Sequence, residues 1–315
     1  MAENPPLLRS AARDADLRRL ASRVSLVVAA ILVVVKLAAW IVTGSVALLS
    51  AAMDALVDTA AALATFFGVR YAERPPDHDH RFGHGKGEAV AGFAQATLLA
   101  GAALALAAQS AERLVFPQPV QMVGLGLGVV VASLLAAGSL VAMQTWVVRR
   151  TGSTAIAADR AHYVTDVAVN LAVLAALAVT RLTGWQRADP VFALAISSYM
   201  LWNSREIALV ALKQLLDHEL APEDRERIRD AVLACPEVRG VHDLRTRYAG
   251  DRVFVEFHLE VDRHLTIDAG HAIGDAAEAS VQRLFPSAVE VTAHLEPAGI
   301  KDERLDDRVA LARGS

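Results

Sequence analysis

The stretch from Ser45 to Arg70, SVALLSAAMDALVDTAAALATFFGVR, limits what this chain can fold into more than any other. It is apolar and, as a helix rising about 1.5 Å per residue, it reaches across the ~30 Å of a bilayer's hydrocarbon. Asp54 and Asp58 nevertheless stand inside it, one helical turn apart, so both carboxylates project from one face. On the insertion scale one mid-membrane aspartate costs roughly 2.5 to 3.5 kcal/mol, and two uncompensated ones cost about 5 to 7. A cation held between them would offset that cost. The same spacing returns in ADRAHYVTDVAVNLAVLAAL, where His162 and Asp166 share one face of another apolar helix. Two such pairs make a four-ligand site.

Hydrophobic residues are 54% of the 315 and mean hydropathy is +0.35, more than a soluble core needs. A multi-span α-helical membrane protein is expected. The charges are unevenly spread, for residues 213–315 hold 21 of the 35 acidic residues and 14 of the 31 basic ones. That excess marks a separate, soluble, acidic domain. Neither half carries the basic surface that nucleic-acid binding requires, so that partner is set aside. The single cysteine, Cys235, excludes an intrachain disulfide framework and suits a reducing compartment.

Residues 1–23 are polar and contain Arg9, Arg13, Arg18, Arg19 and Arg23 with no cleavage pattern behind them, which predicts a retained cytoplasmic leader. Six transmembrane helices are expected over 24–212. They cover residues 24–42, a second span ending near Tyr71, then 89–114, 122–148, 156–182, and 190 to 202 or 212. In the fourth, Gly124, Gly126, Gly128 and Gly138 predict close helix approach. Lys36, in the first, is expected to snorkel or to pair with a carboxylate, the alternative being a direct role in ion passage. Lys and Arg beside the span ends number twelve on one side and three on the other. That bias puts both termini in the cytoplasm.

The soluble part, 213–297, reads as helix, strand, strand, helix, strand, a small α/β sandwich of ferredoxin-like (αββαβ) type. Its second strand alternates, with Val253, Val255, Phe257, Leu259 and Val261 on one face and Glu256, His258 and Glu260 on the other. The third strand puts Leu295 inward and leaves His294 and Glu296 together outside. Residues 298–315 are charged, lack periodicity and are expected to be a flexible tail.

Asp54, Asp58, His162 and Asp166 offer three carboxylates and one imidazole, a set suited to a divalent transition ion in tetrahedral geometry, with zinc favoured. Thiolate is absent, which disfavours copper(I). A second group of ligand types, Asp77, His78, Asp79, His80, His84 and Glu88, lies in the polar loop after the second span. A third, His242, His258, His271 and His294 with Glu296, is spread over the soluble domain.

On GSVALLSAAMDALVD, RYAERPPDHDHRFGHGKGEAVAGFAQ, AHYVTDVAVN, RGVHDLRTR and VTAHLEP the chain resembles the cation diffusion facilitators, close to their bacterial zinc transporters. The resemblance implies a homodimer in a bacterial cytoplasmic (inner) membrane that exports Zn2+ in exchange for protons by alternating access. It implies a transport site of Asp54, Asp58, His162 and Asp166 and a loop site of Asp77, His80 and His84. It further implies a pair of ions held by His242, His258, His271, His294 and Glu296, and a salt bridge of Lys86 with Asp217 near the dimer centre. The family usually has His-Gln-Asp-Pro where this chain has His294, Leu295, Glu296 and Pro297. Cd2+, Fe2+, Co2+ and Mn2+ are alternative cargoes for such ligands. Two other classes share some of these features. A membrane-anchored metal sensor would use the soluble domain as its working part. A membrane hydrolase would need an open metal position and a motif such as HExxH, which the chain lacks.

Overall fold

The computed structural model describes residues 6–43, 46–116, 124–185, 187–285, 288–300 and 304–313. They divide into two compact units, one of Ala12–Leu212 and one of the chain from Lys213 with the residues up to Ala11.

The first unit is built from six long helices, α1 (Pro6–Thr43), α2 (Val46–Ala72), α3 (Gly87–Val115), α4 (Gly124–Thr151), α5 (Thr154–Thr183) and α6 (Ala188–Leu215). Helix α1 already runs from Pro6, so the stretch expected as a leader is helical from that residue on. Among the described residues three stretches are long and apolar enough to cross a membrane, Asp14–Val42, Gly87–Val115 and Val130–Thr151. Away from their charged ends much of their outward surface is apolar, with Val27, Ile31 and Val34 each more than half exposed on α1. Such a surface belongs in lipid.

Helix α5 is the hub, packed against α2, α3 and α4, while α2 also packs on α3. Gly68 makes the last contact close, since a Cβ there would lie 2.2 Å from Cβ of Ala91. Gly128 and Gly138 do not act this way, for a Cβ on either meets nothing within 4 Å. Among the described residues close approach is seen between α2 and α3; the surroundings of Gly124 and Gly126 lie outside the described residues. Between α4 and α5 the chain turns at Gly152, whose φ of +64° a side chain would resist. Ser153 then holds the start of α5, accepting from the Ile156 N–H at 3.3 Å and donating to buried Glu88 at 2.5 Å. Glu88 also lies 3.6 Å from buried Arg18, so one carboxylate ties α1 to α3 by charge and the start of α5 by a hydrogen bond.

The second unit has α7 (Pro222–Leu233), β1 (Gly240–Ala249), β2 (Arg252–Val261), α8 (Ile267–Gln282), β3 (Val289–Pro297) and α9 (Leu305–Arg313). Strand β2 is central, antiparallel to β1 and parallel to β3. Its inward residues Val253, Val255, Phe257, Leu259 and Val261 pack with Ile228 and Val232 of α7 and Ile273, Ala277 and Val281 of α8. Both helices therefore cover one face and leave the other open to carry function. Leu295 packs inward over Gly270 and Gly274, so the side chain that departs from the family's usual amide faces the core and not the outer face.

The tail is not without structure. Asp243 takes the N–H groups of Leu305 and Asp306 at 2.9 and 3.0 Å, capping α9, while the Asp306 carboxylate accepts from the Asp243 N–H at 3.1 Å. This reciprocal cap satisfies donors that a helix start otherwise leaves open. Hydropathy could not reveal it, because the partner is 62 residues upstream in sequence.

Candidate metal centres

Within the helical unit, α2 and α5 bring Asp58, His162 and Asp166 together. Nε2 of His162 lies 2.9 Å from Oδ1 of Asp58 and 3.8 Å from Oδ2 of Asp166. One ligand atom from each of the three lies within 4.8 Å of the others. His162 is 7% exposed, so the cluster sits in low dielectric, where two carboxylates demand a counter-charge. A proton on His162 can supply it, and so can a divalent ion. The side chain of Asp54, the fourth expected ligand, lies outside the described residues, although its backbone is part of α2.

Three residues before His162, Asp159 is fully buried, and sequence reasoning passed over it. It accepts from Gln95 Nε2 at 3.0 Å and from Gln144 Nε2 at 2.6 Å. Gln95 continues to Thr65 Oγ1 and the Ala61 carbonyl at 2.7 and 2.9 Å. Helices α2, α3, α4 and α5 are thereby joined through one carboxylate. The signal was available, since Asp159, His162 and Asp166 are spaced three and four apart and share a helical face.

In the loop, Asp77 faces two histidines, with Oδ1 3.1 Å from His80 Nδ1 and Oδ2 3.2 Å from His84 Nε2. The His80 N–H donates to Asp77 at 2.7 Å and that of Asp79 at 3.0 Å. These donors, that of His80 foremost, hold the Asp77 carboxyl below its ordinary value. His84 is buried with its ring edge-on to Tyr71, and its Nδ1 has no hydrogen-bond partner. His78 and Asp79 extend into solvent. Glu88 is turned to Arg18 and Ser153 instead.

On the open face of the sheet, strand register sets His242, His258 and His294 side by side across β1, β2 and β3. Ring centroids are 5.1 and 4.8 Å apart, about one strand spacing. Two residues on, Glu260 and Glu296 pair in the same register. Glu296 lies among the rings, 3.3 Å from His242 Nε2, 2.8 Å from His258 Nδ1 and 3.5 Å from His294 Nε2. The register of β1 shifts after His242, and Asp243 adopts a φ of +52° there. Such an irregularity re-aims a side chain. His242 is 4% exposed, yet neither ring nitrogen makes a hydrogen bond, nor does Nδ1 of His258. Buried ring nitrogens without hydrogen bonds, close to a carboxylate, are what ligands to an ion leave behind, so these residues fit a metal. His271 does not join them. It is exposed on α8, 3.6 Å from Asp275 one turn away.

Lys86 immediately precedes α3, and Asp217 lies 3.5 Å from Arg247 within the second unit.

A family model for the cation efflux transmembrane domain matches residues 22–216, and one for the cytoplasmic domain of cation efflux proteins matches 220–298. The chain belongs to the cation efflux family. As a cation efflux protein it is a membrane protein with a helical transmembrane domain and a cytoplasmic domain built on a small sheet. It is 41% identical over 285 residues to the cation-efflux pump FieF of Klebsiella pneumoniae, covering 90% of this chain and 94% of that one. FieF of Salmonella arizonae is 40% identical over the same shares. The solved Zn form of CzrB is 37% identical and covers 28% of this cation efflux protein and 99% of that chain, with a TM-score of 0.26.

Proposed function

We propose that the protein exports a divalent metal cation, Zn2+ first among them, from the cytoplasm in exchange for protons by alternating access. The observation that carries this reading is the approach of Asp58 and Asp166 to one buried nitrogen of His162, on helices whose neighbours face lipid. Carboxylate and imidazole ligands bind metal only when deprotonated, so loading the ion expels protons and reprotonation expels the ion. Asp54 completes the ligand set in this proposal, and two rigid helix turns carry the site between inward and outward access. Exchange for a single proton moves one net charge outward, worth about 2.3 kcal/mol per 100 mV; exchange for two is electroneutral.

Six spans, both termini in the cytoplasm and residence in a bacterial inner membrane belong to the same proposal, as do the divisions at residues 23, 212 and 297. So does a homodimer in which Lys86 and Asp217 interlock, with the cytosolic domain sensing metal through His242, His258, His271, His294 and Glu296. The loop cluster of Asp77, His80 and His84 is proposed to bind metal beside the entry to the second and third helices. Cd2+, Fe2+, Co2+ and Mn2+ are secondary cargoes in this reading, since oxygen and nitrogen ligands accept all of them.

Metal-resolved flux in proteoliposomes tests it. Zn2+ uptake should collapse the imposed proton gradient in the parent, and Asp58→Ala should abolish both movements. Undiminished uptake by Asp58→Ala would remove the site, and uptake with no proton counterflow would remove the antiport.

A further inference from the structure

Arg304 lies beyond residue 298, where the match to the cytoplasmic-domain family model ends. Its Nη2 is 2.7 Å from Oε1 of Glu260. That same oxygen is 3.1 Å from Nδ1 of buried His242. The carboxylate of Glu260 otherwise rests against Gly240, where a Cβ would come 3.1 Å from Oε2. Beside it the second acid flanking His242, Asp243, is committed to the first turn of α9. Tail docking therefore occupies two of the acids around the buried histidine, Glu260 and Asp243, leaves Glu296 to the rings, and sets a permanent cation one carboxylate away from His242.

We propose that the docked tail is an in-cis competitor of the cytosolic metal. Arg304 acts as a built-in counter-ion that a divalent ion at His242, His258 and Glu296 must work against. The inference rests on the reading that this cluster binds divalent metal. Two effects act in one direction. A guanidinium near the site repels an incoming cation, and while it holds Glu260 that carboxylate adds neither charge nor a ligand oxygen to the ion. Linkage makes the antagonism mutual, so a tail that weakens the ion must be loosened by it to the same degree. Arg304 is thus a positioning residue for Glu260, which sets how tightly the sheet's open face takes metal.

The experiment uses full-length protein in detergent and Zn2+ alone as the probe, titrated calorimetrically into the parent, Arg304→Ala, Arg304→Lys, His242→Ala and the His242→Ala/Arg304→Ala pair. Arg304→Ala should tighten one class of sites on the order of five-fold, the effect of one unit charge acting through a high effective dielectric. Arg304→Lys should stay with the parent, and the gain should vanish when His242 is also replaced. Hydrogen exchange supplies a second readout, in which Zn2+ should speed exchange of residues 304–313 in the parent and leave it unchanged in His242→Ala. Unchanged or weaker binding in Arg304→Ala overturns the proposal, as does a tail equally protected with and without Zn2+. If His242→Ala removes a class of sites and Arg304→Ala changes nothing, only the competition is lost. If His242→Ala removes no class, the metal reading of the cluster fails and takes the competition with it.

Discussion

His162 presents one nitrogen to two acids on two helices, so its identity should decide which ions fit. His162→Asp turns the set into oxygen alone and should move cargo preference from Zn2+ toward Mn2+, read by competing the two metals in liposome uptake. The four-residue spacing of His162 and Asp166 was enough to put both on one helical face. Asp159 lay in the same stretch and was missed because hydropathy counts a buried acid only as an interruption, whereas its worth depends on Gln95 and Gln144 from other helices. Gln144→Leu keeps the volume and removes a donor to that carboxylate. It should cost about 1 to 3 kcal/mol, measured as a lower unfolding midpoint in detergent.

The helices of the first unit could be read from apolar runs, and the strands of the second from their alternation, because burial of one face imposes those periods. Which helix pairs touch could not. Gly68 makes a close contact while Gly128 and Gly138 of the fourth span meet nothing within 4 Å, and only the fold tells a glycine facing a neighbour from one facing open space. Gly68→Ala should therefore force α2 and α3 apart and cost roughly 1 to 3 kcal/mol. Gly128→Ala should fall within about 0.5 kcal/mol of the parent or stabilise it. Thermal melts of the two variants side by side would separate these outcomes. Helix α9 escaped sequence reasoning for a related reason. Its first turn is held by Asp243, an acid held below its ordinary value because the N–H donors of Leu305 and Asp306, aided by nearby His242 and His258, outweigh the upward push of burial. Asp243→Ala should release α9, seen as faster hydrogen exchange from residue 305 onward.

Across the whole molecule, ion binding and folding stability are one quantity wherever the unfolded chain lacks the site. Removing metal with a chelator should therefore lower the melting transition of the second unit. Zn2+ at a hundred times its dissociation constant should restore about 2.7 kcal/mol, read by calorimetry on the full chain. The row formed by His242, His258 and His294 carries a consequence of its own, because the rungs of the sheet align it. A strand that slid by a single residue during synthesis would turn His294 into the apolar layer and Leu295 out to water, scattering the three rings. An ion that needs the rings abreast would then act as a proofreader of strand alignment, rejecting the mispaired chain before the transporter reaches its working form.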